Sequence, residues 1–317
     1  MTASTFPVSD RKGRALVFGS LNLDYVIRVA RVPAAGETFD ASALRLLPGG
    51  KGGNQAVALA RMGVATSMIG CVGTDPAGQT LSAALADNGV DVTLVRKVAG
   101  VPSGSAFVIV DQAGENRIII VAGCNGEVGP PELAALEASL RGARVLLLQF
   151  EIPLEIVTKA ARAARKANVN VILDPAPGQA FPGKLRGLVN ILTPNETEAA
   201  ILTGRSLDDD PSAMECALSL REQSRAQAVI VKRGGKGIVV ASGGTPRIVR
   251  APAVEVADTT AAGDVFNGSL GAAICNGASL DDAITVAIAA GALSVTKTGS
   301  QSSIPTLSDV QQFMARS

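Results

Sequence analysis

Short apolar runs alternate with amphipathic or small-residue stretches along nearly the whole chain. The runs at 15–18, 66–72, 92–95, 145–148, 169–173, 188–192 and 228–232 read as strands, several apolar enough to be covered on both faces. Between them, 56–62 reads as a helix closed by Gly63. Asp75-Pro76 opens another with cap and first-turn residues in place. Further helices are expected at 131–140, 153–167, from 193–198 to Gly204, at 266–275 and 280–296, and after Pro305. Four stretches break this rhythm: 25–29, 37–47, 105–110 and 117–121 are extended, and the last two flank Asp111-Gln-Ala-Gly-Glu-Asn116, whose turn chemistry predicts a hairpin. Residues 247–256 are extended as well. Regular strand–helix alternation predicts an α/β fold with a mostly parallel central sheet and helices on both faces. The extended excursions, at about 21–48 and 103–122, predict a small β-sheet lid, which would exclude water from a site beneath it. Residues 14–317 would form the domain and 1–13 a loose tail.

Composition narrows the function classes. Lys and Arg total 29 against 28 Asp and Glu, which argues against partners held by bulk charge, nucleic acid or a membrane surface. No tryptophan is present, so base-stacking platforms are not expected. The chain has no histidine, which removes His-based triads, zinc-protease motifs and imidazole proton shuttles. Catalysis must use carboxylates, Lys, Cys, Tyr or backbone amides. Cys71, Cys124, Cys216 and Cys275 lack paired spacing and read as reduced thiols of a cytoplasmic protein. No apolar run is long enough for a bilayer.

Two stretches carry chemistry. In Asp258-Thr-Thr-Ala-Ala-Gly-Asp-Val-Phe-Asn-Gly268, Ala261, Ala262 and Gly263 have almost no side chain, so their N–H groups at a helix start suit an anion such as phosphate. Asp264 beside them can accept a proton from an attacking hydroxyl, an arrangement that suits phosphoryl transfer to an alcohol. A capped helix start is the plain alternative. In Pro48-Gly-Gly-Lys-Gly-Gly-Asn-Gln55, glycines let the backbone fold against a ligand, while Lys51 and Asn54 offer donors and an acceptor suited to sugar hydroxyls. A glycine-rich turn is the plain alternative here.

Asp24, Glu151, Asp174 and Asn195 each follow a predicted strand, where ligands bind in open α/β sheets. Asn195 and Glu198 share a helix face; one could meet phosphate and the other a hydrated Mg²⁺, or the pair could be a helix cap. Lys232 and Arg233-Gly-Gly-Lys-Gly237 suit nucleotide phosphates or a hairpin turn. Neither a dinucleotide fingerprint nor a Walker-type loop occurs, which argues against a dehydrogenase on a doubly wound sheet.

The two glycine-bearing signatures, in this order, resemble those of PfkB-type carbohydrate kinases, and the ribokinase-like members above all; the likeness runs from Ala15 to the end. Thr193-Pro-Asn-Glu-Thr-Glu198 and Gly299-Ser-Gln-Ser-Ser-Ile-Pro305 match too. The resemblance implies an ATP-dependent kinase acting on the terminal hydroxymethyl of a small sugar, D-ribose first. Deoxyribose, fructose, a keto-deoxy sugar acid or a nucleoside are the alternatives, and a catalytically silent sugar-binding protein is the non-kinase one. It implies that Asn22, Asp24, Gly50, Lys51, Asn54 and Glu151 hold the sugar, that Asp264 is the base, and that Ala261, Ala262 and Gly263 form the anion hole. Asn195 with Lys232, Arg233, Gly234, Gly235, Lys236 and Gly237 would contact ATP, and Glu198 would help place Mg²⁺. Asp258, Thr260, Ser294, Lys297 (through its carbonyl), Gly299 and Ser303 would surround K⁺. A homodimer through the lid sheet is also implied. The second signature often has Gly where Ala261 stands, and the histidine some relatives place near adenine is absent; Ile288 falls in that region.

Overall fold

The computed structural model describes residues 13–112 and 116–316. The expected tail lies outside them as far as residue 12, as do residues 113–115 of the expected hairpin turn. The strands are β1 (Arg14–Phe18), β2 (Asn22–Arg28), β3 (Ala43–Gly49), β4 (Thr66–Gly73), β5 (Val95–Val98), β6 (Gly104–Val110), β7 (Asn116–Val121), β8 (Ala143–Gln149), β9 (Asn170–Asp174), β10 (Ile191–Leu192), β11 (Ala228–Lys232), β12 (Ile238–Ala241) and β13 (Arg247–Val249). The α-helices are α1 (Lys51–Arg61), α2 (Pro76–Asp87), α3 (Pro130–Ser139), α4 (Leu154–Lys166), α5 (Glu196–Thr203), α6 (Asp210–Ser224), α7 (Ala262–Cys275), α8 (Leu280–Ser294) and α9 (Leu307–Met314).

Nine strands form one sheet in the order β13-β12-β11-β10-β9-β8-β1-β4-β5. It is parallel from β5 to β11, and β12 and β13 add an antiparallel edge. Its central strands carry unbroken apolar runs, such as 145–148 of β8 and 171–173 of β9, because both faces are covered. Ala15 and Val17 of β1 face a core shared with α1, α7 and α8, whereas Leu16 and Phe18 face a core shared with α3, α4 and α6.

The remaining four strands make a separate sheet, β3-β2-β6-β7. Cross-strand register puts Asp24, Ala106 and Ile120 in one row and Leu46, Tyr25, Phe107 and Ile119 in the next, so the two rows lie on opposite faces. The expected α/β architecture with a small additional sheet is therefore present.

Local departures have physical causes. The 37–47 stretch becomes a strand only from Ala43. The strand expected at 92–95 starts at Val95, and the extended stretch at 247–256 pairs only as far as Val249. Helix α6 had no counterpart among the sequence-based expectations. Its buried stripe is Ala213, Cys216, Ala217, Leu220 and Ser224, all but Leu220 small and giving little hydrophobic contrast, although Asp209 caps it through Ser212 N–H.

Candidate active site

The C-terminal ends of β1, β8, β9 and β11 deliver Gly19, Gln149, Asp174 and Lys232 to one edge of the large sheet, and the starts of α1 and α7 meet there. The small sheet stands over this edge. Between them lies a cavity of about 430 Å³. All six expected sugar residues, Asn22, Asp24, Gly50, Lys51, Asn54 and Glu151, line it, together with Thr260, Ala261, Asp264 and Glu198. Ala106, Val108, Ile118 and Ile120 supply an apolar roof from β6 and β7.

The start of α1 is glycine-built because it presses against the turn after β1. A Cβ on Gly52 would stand 2.6 Å from the Ser20 carbonyl oxygen and 2.7 Å from its nitrogen. Gly50 adopts φ 81°, in the left-handed region. This contact also fixes Glu151, whose carboxylate accepts from Ser20 Oγ and from the Lys51 N–H at 3.2 Å. Asn22 is held from behind by Asn125, which donates to its Oδ1 at 2.7 Å.

Helix α7 begins four residues earlier than its apolar pattern suggests, at Ala262. Ala261 precedes it with φ 60° and ψ 6°. The Ala262 N–H donates to the Thr259 carbonyl at 3.3 Å, so one of the three expected anion-hole amides is engaged. Among the described residues, the N–H groups of Ala261, Gly263 and Asp264 have no acceptor. Asp264 is 6% exposed. Its Oδ2 accepts from Asn54 Nδ2 at 3.0 Å and its Oδ1 from Gln55 Nε2 at 3.0 Å. Burial, opposed by Lys51 and reinforced by Asp174, pushes its carboxyl up to about 6.

Asp174 anchors a cation pair. It is 1% exposed and accepts from Lys232 Nζ at 3.1 Å and from Lys51 Nζ at 3.5 Å. The two ammonium groups overcome burial and hold it below the usual carboxylate range. Burial works against the Lys51 charge, but Asp174, Asp264 and Glu151 hold its pKa above the ordinary lysine value. Lys232 reaches the start of α7: a Cβ on Gly263 would lie 3.3 Å from its Nζ. Asp24 has no such partner, and burial with Glu151 and Asp264 nearby pushes it up to about 7.

The other expected residues divide. Arg233, expected to face ATP, is 3% exposed and committed to Glu196 at 3.0 Å and to Asp210 at 2.5 Å. Lys236 leans on Glu196 at 3.5 Å. Gly234, Gly235 and Gly237 form the β11–β12 turn. Asn195 and Glu198 satisfy each other as a reciprocal cap: Asn195 N–H donates to Glu198 at 2.8 Å and Glu198 N–H to Asn195 at 2.7 Å. Asp258 gathers Thr260, through its N–H at 2.9 Å and hydroxyl at 2.6 Å, and the Gly299 N–H at 2.9 Å. Both the Ala257 and Asp258 N–H groups bond the Val295 carbonyl, which brings the end of α8 alongside. The Ser294 and Ser303 hydroxyls donate to the Gly291 and Ser300 carbonyls, and the Lys297 N–H to Ser294. Among the described residues no cluster of three Asp, Glu or Cys is arranged for a metal.

Sequence reasoning singled out Asp174 only by its strand-end position, and assigned no role to Gln55, Gln149, Asn125 or the apolar roof. Gln55 was readable within its motif; the others act through contacts between segments far apart in the chain.

A family model described as pfkB family carbohydrate kinase matches residues 12–307. Ribokinase from Haemophilus influenzae is 41% identical over 298 residues, 94% of this chain and 97% of that protein. Ribokinase from Schizosaccharomyces pombe is 37% identical over 93% of this chain and 96% of its own length. The solved structure of Arabidopsis thaliana ribokinase complexed with ribose and ATP superposes with a TM-score of 0.87 at 34% identity, covering 95% of this chain and 98% of that one.

Proposed function

This chain belongs to the pfkB family of carbohydrate kinases, and from that premise we propose that it transfers the γ-phosphoryl group of ATP to the primary hydroxyl of D-ribose, giving D-ribose 5-phosphate and ADP. The observation that carries the reading is Asp264: a carboxylate held by two amide donors, opening into the polar-walled cavity, at a helix start with unoccupied N–H groups. Asn22, Asp24, Gly50, Lys51, Asn54 and Glu151 orient the sugar. Asn54 suits this well, since its Nδ2 serves Asp264 while its buried Oδ1 has no partner and can accept from a sugar hydroxyl. Asp264 takes the hydroxyl proton as the oxygen forms its bond to the γ-phosphorus and the bond to the bridging oxygen of ADP breaks. The transition state is loose, so alignment and charge stabilisation matter more than base strength. The amides of Ala261, Gly263 and Asp264 receive the developing charge, with Ala262 released from Thr259 to join them. Lys51 and Lys232, each on a different oxygen of Asp174, supply positive charge for the phosphoryl group. The 234–237 turn and Asn195 meet the nucleotide through backbone and amide groups, and Arg233 supports that turn from within.

A Mg²⁺ ion keeps several waters and takes few carboxylates, which fits Glu198 at the cavity wall beside substrate phosphates; when bound it neutralises phosphate charge. The 258–260 and 294–303 segments supply one carboxylate with hydroxyl and carbonyl oxygens, a hard donor set that fits K⁺. Asp258, Thr260, Ser294, Lys297, Gly299 and Ser303 would hold it, close enough to α7 to brace the anion hole. The small sheet acts as a lid, its inner face closing on the sugar. Its outer face exposes Leu44, Leu46 and Ile119 by 61%, 53% and 59% around the stacked Tyr25 and Phe107 rings. Such a face favours pairing with a second copy, hence a homodimer through the lid. Four free buried cysteines suit a cytoplasmic setting.

The test is ADP release with D-ribose, 2-deoxyribose, fructose, a keto-deoxy sugar acid and adenosine, each in K⁺ and in Na⁺. D-ribose should give the highest kcat/KM, and K⁺ should raise it. Another acceptor in first place removes ribose while keeping the reaction class; silence with all of them leaves only sugar binding.

A further inference from the structure

Gln55 reaches the reaction only through the carboxylate of Asp264. It follows Asn54 on α1, is 1% exposed, and lies behind the cavity wall rather than in it. Its Nε2 donates to Asp264 Oδ1 at 3.0 Å and to Asp174 Oδ2 at 3.2 Å, so both N–H bonds go to carboxylates. Its Oε1 accepts from Gln149 Nε2 at 2.7 Å. Gln149 is fully buried at the end of β8. Only one orientation of the Gln55 amide works here. Turned over, it would set an oxygen against two carboxylates and its NH₂ against the NH₂ of Gln149. Gly19 leaves the room this needs, since a Cβ there would stand 1.8 Å from Gln149 Oε1.

We propose that Gln55, locked by Gln149, is a positioning residue for the phosphoryl transfer: it aims Asp264 at the acceptor hydroxyl and ties it to Asp174, the carboxylate that carries Lys51 and Lys232. The inference rests on Asp264 being the base. One amide thus sets the spacing between the group that takes the proton and the cations that meet the phosphoryl. The N–H bond to Asp264 also favours its ionised form, as Lys51 does, against burial and Asp174, while the charged groups around it are of both signs. Those are Asp24 from β2, Lys51 from α1, Glu151 after β8, Asp174 from β9, Glu198 from α5 and Lys232 from β11.

Gln55→Met keeps the volume and removes the donor. A hydrogen bond to a charged group is worth enough for kcat at pH 7 to fall roughly 10–100-fold, with KM for D-ribose and ATP nearly unchanged. Without the donor Asp264 binds its proton more tightly, so the acid limb of kcat should move up by about one pH unit. The loss is then greater at pH 6 than at pH 8.5. Gln149→Met touches neither carboxylate and should move kcat and the limb the same way, by a smaller factor. An equal loss at every pH in Gln55→Met, or a rise in KM alone, overturns the role. If Gln55→Met melts below the assay temperature, Gln149→Met decides: a wild-type pH profile there overturns the role, and an upward shift supports it. Asp264→Asn separates the two levels. Full activity in that variant removes the base itself, whereas an inactive Asp264→Asn beside an unshifted Gln55→Met removes only the positioning role.

Discussion

Two helix starts meet at the cavity, both written in small residues, for different reasons. At α1 the glycines are steric. Gly52 lies where any Cβ would strike the Ser20 backbone, and the working groups are side chains: Lys51, Asn54 and Gln55. At α7 the small residues leave peptide N–H groups uncovered. A Cβ on Gly263 would meet the flexible end of Lys232, at 3.3 Å, and no backbone, and the working groups are those amides and Asp264. A glycine-rich motif can therefore mean backbone packed against backbone or backbone held open for a ligand. Only the surroundings decide which.

The largest expected effect tests the α7 side. Asp264→Asn keeps the shape and its contact with Asn54 while losing the base, so kcat should fall by about 10³-fold, with sugar affinity, read by calorimetry, largely kept. The pH profile follows from the same carboxyl. It must be ionised to accept a proton, and burial raises it to about 6. The rate should thus fall as pH drops through 6 and level off above 7. Near-normal turnover in Asp264→Asn, or a rate that holds steady down to pH 5, would place the base elsewhere. The next effect tests the α1 side. Gly52→Ala forces backbone apart, at a cost of about 1–3 kcal/mol, and displaces Lys51 and the Glu151 contact. Tm should drop and KM for ribose rise more than tenfold. An unchanged KM would mean that the close approach at Gly52 is not what sets the sugar residues.

These two starts also show how far the sequence could be read. Both signatures were visible because their function depends on local spacing, and the six residues that the resemblance assigns to the sugar do line one cavity. The layered architecture was visible because fully covered strands must be apolar. What escaped notice depends on long-range partners. Arg233 looked like a phosphate ligand until Glu196 and Asp210 were seen to occupy it. Asn195 and Glu198 had two readings in sequence, and their mutual capping bonds are present. Asp174 gained its meaning only when Lys51 and Lys232, distant in the chain, arrived at its two carboxylate oxygens, one at each. The roof residues Ala106, Val108, Ile118 and Ile120 follow the plain alternation of any strand, which does not say what the inward face will cover.

The smallest effect is the sharpest test of the difference between the two starts. Ala261 sits at φ 60°, a conformation that costs a residue with a Cβ roughly 1–2 kcal/mol. Glycine there removes that strain but adds freedom to the unfolded chain worth about 0.5–1 kcal/mol. Ala261→Gly should therefore stabilise the protein slightly, by about 0.5 kcal/mol, measured by urea unfolding. Its N–H stays in place, so kcat should remain within about twofold, because the anion hole uses the peptide and not the methyl group. The swap is the reverse of Gly52→Ala: at α1 a single methyl disrupts the site, while at α7 a single methyl is removed with little consequence. A tenfold fall in kcat for Ala261→Gly would mean that the methyl group holds the amides in their open arrangement, and the two starts would then both be steric devices.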